Sequence, residues 1–145
     1  MIAMCDCAPQ SEDSRTLEIN LEREPQAPSV ARAAVAGFTE RSELSSAELA
    51  TLTLLVSELV SNAVLHSDAP AASGILLCAH LLEGGTVRVE VIDHGSGFAA
   101  RPRSPTTAYG GYGLYLVDKE ATRWGVDRKG GTRVWFEMAN GSSSS

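Results

Sequence analysis

From Ser45 to about Ser67 the chain carries a segment that is apolar on nearly every side of a helix, yet it places Glu58, Asn62 and His66 four residues apart. A spacing of four stacks side chains along one stripe of an α-helix. Leu54, Leu55, Leu59 and Leu65 surround that stripe, while Val56, Val60 and Ala63 occupy the opposite side. A helix that is apolar nearly all round is buried, and a carboxylate and an amide on it must find partners or line a cleft, because dry and unpaired polar groups cost several kcal/mol. Taken alone, such a stripe also suits a solvated helix face. Ser45-Ser-Ala-Glu48 forms a capping box that fixes where this helix starts. The apolar run Leu52 to Leu65 is interrupted by Ser57, Glu58, Ser61 and Asn62. It therefore falls short of the ~20 mostly apolar residues of a membrane span, and no membrane segment is expected.

The flanking sequence supplies a second layer. Thr16–Glu22 alternates with a period of two and predicts a half-buried strand. Pro28–Arg41 reads as a helix, with Val30, Ala34, Val35 and Phe38 at helical spacing and Pro28 in the first turn. Gly74–Glu83 and Thr86–Asp93 predict a hairpin around Gly84-Gly85. A long loop, Phe98–Gly113, leads to a helix from about Tyr112 to Arg123, and Val126–Arg128 with Arg133–Met138 form a second hairpin around Gly130-Gly131. The order β-α-α-β-β-loop-α-β-β predicts an α+β two-layer sandwich, its sheet mixed and mostly antiparallel with the helices on one face. Residues 15–140 form the expected single domain, between flexible tails at 1–14 and 141–145.

Charge narrows the partners. Twelve basic and 18 acidic residues leave a formal charge of −6, so there is no general basic field for direct nucleic-acid binding. The N-terminus lacks the basic start and apolar run of a signal peptide, and the expected location is the cytoplasm. Cys5 and Cys7 read as two free thiols on the N-terminal tail, since no Cys/His cluster completes a four-ligand site; Cys78 reads as packing.

Two glycine-rich motifs follow the helix. Asp93-His-Gly-Ser-Gly-Phe98 comes straight after a strand, where Gly95 and Gly97 allow a sharp turn and close approach to a ligand. With Ala100 it also satisfies a dinucleotide fingerprint, but Arg101-Pro-Arg-Ser-Pro105 cannot continue the helix which that fingerprint requires. Gly110-Gly-Tyr-Gly-Leu114 opens a helix, whose free N–H groups and positive dipole end form a phosphate seat. No P-loop pattern occurs in the chain.

In this order, Glu-x-x-x-Asn on a helix, Asp-x-Gly-x-Gly after a strand and Gly-x-Gly-Leu before a helix, the motifs resemble the N box and the two glycine boxes of the GHKL (Bergerat-fold) ATPases. Glu58–His66, Gly113–Asp118, Arg123–Gly125 and Gly131–Glu137 look most like the serine-kinase anti-sigma factors of that superfamily, over about Thr16 to Ala139. The resemblance implies ATP and Mg2+ as cofactors. It gives Asn62 to Mg2+, Glu58 to general-base work on a serine hydroxyl, and Asp93 to the adenine amino group. Gly95 and Gly97 would then belong to the base site, Gly97 letting the ring approach. Thr132 would support the same end of the base, directly or through water. Gly111, Gly113 and Leu114 would cradle the phosphates under a lid, Ala99–Tyr112, in which only Arg101 and Arg103 reach for phosphate. His66 reads as a structural histidine. There is no phospho-accepting histidine helix, so a complete histidine kinase is excluded.

The implied function is sequestration of a sigma factor and phosphorylation of an anti-anti-sigma antagonist carrying a STAS domain, with Arg32 on the first helix contacting these partners. A homodimer stays open. The alternative is a catalytically inactive, nucleotide-dependent protein-binding switch of the same fold.

Overall fold

The capping box closes as expected: the Glu48 N–H donates to Ser45 Oγ at 3.0 Å and the Ser45 N–H donates to Glu48 Oε1 at 2.8 Å. The computed structural model describes residues 15–40, 42–66, 73–94, 111–128 and 131–139. Its elements are β1 Arg15–Leu21, α1 Ala27–Phe38, α2 Ser46–His66, β2 Ile75–Leu81, β3 Val87–Asp93, α3 Gly111–Glu120, β4 Arg123–Asp127 and β5 Thr132–Met138.

Helix α2 is the core of the helical layer. It packs against α1 and α3 and touches β3 and β5. Leu52, Leu55, Val56, Leu59, Val60 and Ala63 are buried. By length and composition, Ser46–Leu65 could cross a membrane, but Leu52, Leu55, Val56, Leu59, Val60 and Ala63 form the protein's own core with strands from the sheet, while Leu54 and Leu65 are exposed. On α1, the buried stripe is Ala27, Ala31 and Val35, and Val30 is 48% exposed. The expected apolar face through Val30 is therefore shifted by one position. The small side chains of Ala27 and Ala31 form the close-packed side, and a larger residue is left outside.

The five strands lie in the order β1-β2-β3-β5-β4. Every pair is antiparallel, where the sequence predicted a mostly antiparallel sheet with some parallel pairing. The reason is topological. After β3 the chain crosses through α3 and lays down β4 at the edge, and β5 then folds back between β4 and β3. Had β4 paired with β3, that pair would have been parallel. A correction concerns Arg123: α3 ends at Glu120, and Arg123 opens β4. Gly125 lies inside this strand, where a Cβ would sit 2.9 Å from the Trp135 ring. Glycine at this position lets the indole lie across β4.

Side chains alternate across the sheet. Val87, Val89, Val91, Val134, Phe136 and Met138 face the helices and are buried. The opposite face carries an ion-pair ladder: Arg88 meets Glu90 at 2.8 Å and Glu137 at 2.7 Å, and Arg133 meets Asp127 at 2.9 Å. The Arg88 guanidinium lies 4.2 Å from the Trp135 ring centroid. On this face Cys78, His80 and Glu90 are buried although they point away from the helices.

His80 is expected to make the fold sensitive to acid. Its Nδ1 lies 3.4 Å from Thr16 Oγ1. Burial holds the imidazole below its ordinary value of 6.5; Arg88 adds to that effect, and Glu90 and Glu18 oppose it. A histidine kept neutral in the fold binds its proton more readily when unfolded. Its contribution to stability is therefore present above pH ~6.5 and is lost as pH falls toward the lower folded value. His80→Leu is expected to remove part of the difference between urea midpoints measured at about pH 7.5 and about pH 5.5. An equal acid-induced drop in both proteins would contradict this role.

Candidate functional site

Strands β3 and β5 bring Asp93 and Thr132 face to face. They are paired across the ladder, and both are buried, at 3% and 2% exposure. Their positions continue the inward-facing series Val87, Val89, Val91 on β3 and Val134, Phe136, Met138 on β5, so the two polar groups end the apolar layer. Gly131 makes this approach possible. It has φ +136°, and a Cβ there would lie 2.7 Å from the Asp93 carbonyl oxygen. Any other residue would push β5 away from the end of β3.

The Asp93 carboxylate accepts from Arg23 Nη2 at 2.9 Å, with both side chains almost fully buried. Thr132 Oγ1 is buried with no hydrogen-bond partner among the described residues. A dry, unpaired hydroxyl costs about 1–3 kcal/mol, so this position suits a polar ligand group or a water.

Glu58 and Asn62 lie on α2, both half-buried, one turn apart on the same helix. Neither pairs with another side chain among the described residues. Also among the described residues, no group of three or more His, Cys, Asp or Glu side chains could hold a metal by itself. An amide oxygen and a carboxylate one turn apart are the oxygen donors a hard cation such as Mg2+ would take, with bound phosphate supplying the rest. Gly111, Gly113 and Leu114 lie in the first turn of α3, where the backbone N–H groups have no intrahelical partner and the helix dipole is positive. Gly95, Gly97, Arg101, Arg103, the loop 99–110 and the two N-terminal cysteines lie outside the described residues.

Arg32 is exposed on α1, as its position off the apolar face predicted. It donates to Ser57 Oγ at 3.1 Å, next to Glu58. Arg23 was missed by sequence reasoning. It stands between Glu22 and Glu24, two residues before Pro25, a context that reads as a solvated charge in a loop.

Comparisons with known proteins agree with this architecture. Residues 21–138 match the family described as histidine kinase-like ATPase domain. The anti-sigma F factor of Anoxybacillus flavithermus is 36% identical over 69 residues, covering 48% of this chain and 47% of the relative. The anti-sigma F factor of a Thermoanaerobacter species is 31% identical over 86 residues, covering 59% of each. The chain thus spans about half the length of the curated relatives it matches. In fold, it is similar to the structure of the RsbU and RsbW domains of Rv1364c from Mycobacterium tuberculosis, with TM-score 0.69 and 24% identity over 86% of this chain and 32% of that one. It is also similar to a blue-light activated histidine kinase of Erythrobacter litoralis, with TM-score 0.56 and 26% identity over 70% of this chain and 33% of that one. With the matched region running from the end of β1 through β5, the chain belongs to the histidine kinase-like ATPase domain family.

Proposed function

We propose that this protein is an ATP-binding anti-sigma factor, acting in the cytoplasm, that sequesters a sigma factor and phosphorylates a serine of a STAS-domain antagonist. The observation that carries the nucleotide site is the buried Asp93 facing the Thr132 hydroxyl, which has no hydrogen-bond partner among the described residues, in the sheet beneath the helix that bears Glu58 and Asn62. The names of the curated relatives support the anti-sigma assignment.

Bound Mg2+–ATP supplies the phosphoryl group. Phosphoryl transfer depends mainly on positioning and charge neutralisation, so a few protein groups suffice. Asp93 accepts a hydrogen bond from the exocyclic amine of adenine, and Thr132 engages the same end of the base. Asn62 offers its amide oxygen to Mg2+. The N–H groups at the start of α3 hold phosphate oxygens. Glu58 takes the proton from the attacking serine hydroxyl. Incubation of the purified protein with radiolabelled ATP and STAS-domain candidates tests the kinase reading. Label is expected on a serine of one candidate, and ATP binding without transfer to any of them supports the inactive switch.

Arg32 is the proposed contact for both protein partners. An exposed arginine presents a planar fork that grips a carboxylate through two hydrogen bonds. Arg32→Ala is expected to leave folding and ATP affinity unchanged while weakening sigma-factor binding by about 2 kcal/mol or more. Calorimetric titration with the sigma factor measures this, and unchanged affinity for both partners would reduce Arg32 to a surface charge.

A further inference from the structure

Arg23 passes over two neighbouring carboxylates to reach one 70 residues away. Glu22 and Glu24 flank it in sequence, yet its ion pair is with Asp93, and Glu24 is engaged by Gln26 Nε2 at 2.7 Å. The same guanidinium donates to the Ala63 carbonyl and, through Nε, to the Ser73 carbonyl at 3.3 Å. Only 7% of the side chain is exposed.

Each acceptor belongs to a different element of the site. Ala63 follows Asn62 and is among the last four residues of α2, whose carbonyls have no intrahelical partner and form the negative end of the helix dipole. Ser73 leads into β2, and Asp93 ends β3. Gly74 permits this convergence. A Cβ there would lie 2.9 Å from the Leu21 carbonyl oxygen, so glycine lets β1 end tightly against the start of β2, two residues before Arg23.

We propose that Arg23 is a positioning residue for nucleobase recognition: it fixes the Asp93 carboxylate and ties it to the C-terminal end of α2. This inference rests on the reading of Asp93 as the adenine acceptor. With Oδ1 held by the guanidinium, the carboxylate cannot rotate freely, and its acceptor direction toward the base is set before the ligand arrives. A rigid acceptor pairs with an amine and repels a carbonyl at the same place, which is the difference between adenine and guanine at that edge. Only the arginine fork serves three acceptors in fixed directions; a lysine has a single ammonium.

The test is calorimetric titration of the full chain with ATP, GTP and inorganic tripolyphosphate, each with Mg2+. It is run on wild type, Arg23→Gln, Arg23→Lys and Asp93→Asn, with circular dichroism reporting the fold. Arg23→Gln is expected to weaken ATP by roughly tenfold or more, narrow the ATP-to-GTP preference and leave tripolyphosphate unchanged. Arg23→Lys is expected to fall between wild type and Arg23→Gln. An equal loss for all three ligands assigns Arg23 a merely structural role and overturns the inference, as does an unaltered ATP-to-GTP ratio. If Arg23→Gln does not fold, the ratio in Arg23→Lys decides in the same way. A wild-type protein without preference for ATP refutes the reading of Asp93, and the inference with it. A preference lost in Asp93→Asn but kept in both Arg23 variants refutes the inference alone.

Discussion

Glu58→Ala is expected to bind Mg2+–ATP as wild type does and to phosphorylate its protein substrate about 10²–10⁴-fold more slowly. The side chain is half-buried and has no side-chain partner among the described residues. Its removal strands no buried charge and opens no core cavity, so the fold should survive. What is lost is proton abstraction from the attacking hydroxyl, which matters only in the transition state. Asn62→Ala, one turn along the same stripe, should behave differently. It removes the amide proposed to hold Mg2+, so binding of Mg2+–ATP weakens. Single-turnover phosphorylation combined with equilibrium ATP titration separates the two variants. Wild-type transfer rates in both would refute the kinase mechanism.

Asp93→Asn carries the largest expected cost to the fold. The substitution leaves the Arg23 cation buried without its counter-charge, and breaking a buried pair from one side costs about 3–5 kcal/mol. The same change turns an acceptor-only carboxylate into an amide that also donates, so adenine loses its advantage over guanine. The double variant Arg23→Met with Asp93→Asn separates these consequences. With both charges gone, stability should recover in large part, while selectivity for adenine should not. Denaturant unfolding measures the first and nucleotide titration the second. Full retention of ATP selectivity in Asp93→Asn would contradict the assigned role.

The legible parts of the fold were those written in local chemistry. The Ser45–Glu48 capping box, the period-two pattern of β1 and the double glycine at Gly84-Gly85, both at positive φ, each specify structure within a few residues. The pairing of Asp93 with Thr132 was legible only as an implication of the family resemblance, since strand register across a crossover leaves no local trace. The same holds for β5 lying between β3 and β4, a choice made by long-range packing that turned a mostly antiparallel expectation into a fully antiparallel sheet. The α1 face was misplaced because the pattern favoured Val30 over the smaller Ala27 and Ala31, which are the buried residues. Arg23 was illegible for a related reason. A charged residue in an acidic loop shows its role only when its partners, Ala63, Ser73 and Asp93, converge in space.

The most direct measurement is a pair of calorimetric titrations of the wild-type protein with ATP and with GTP in the presence of Mg2+. A site closed by the Asp93 carboxylate and the Thr132 hydroxyl should bind ATP in the micromolar range or weaker. It should prefer ATP over GTP by about 2–4 kcal/mol, or about 30- to 1,000-fold. Equal affinity for the two nucleotides, or no binding of either, would contradict the account.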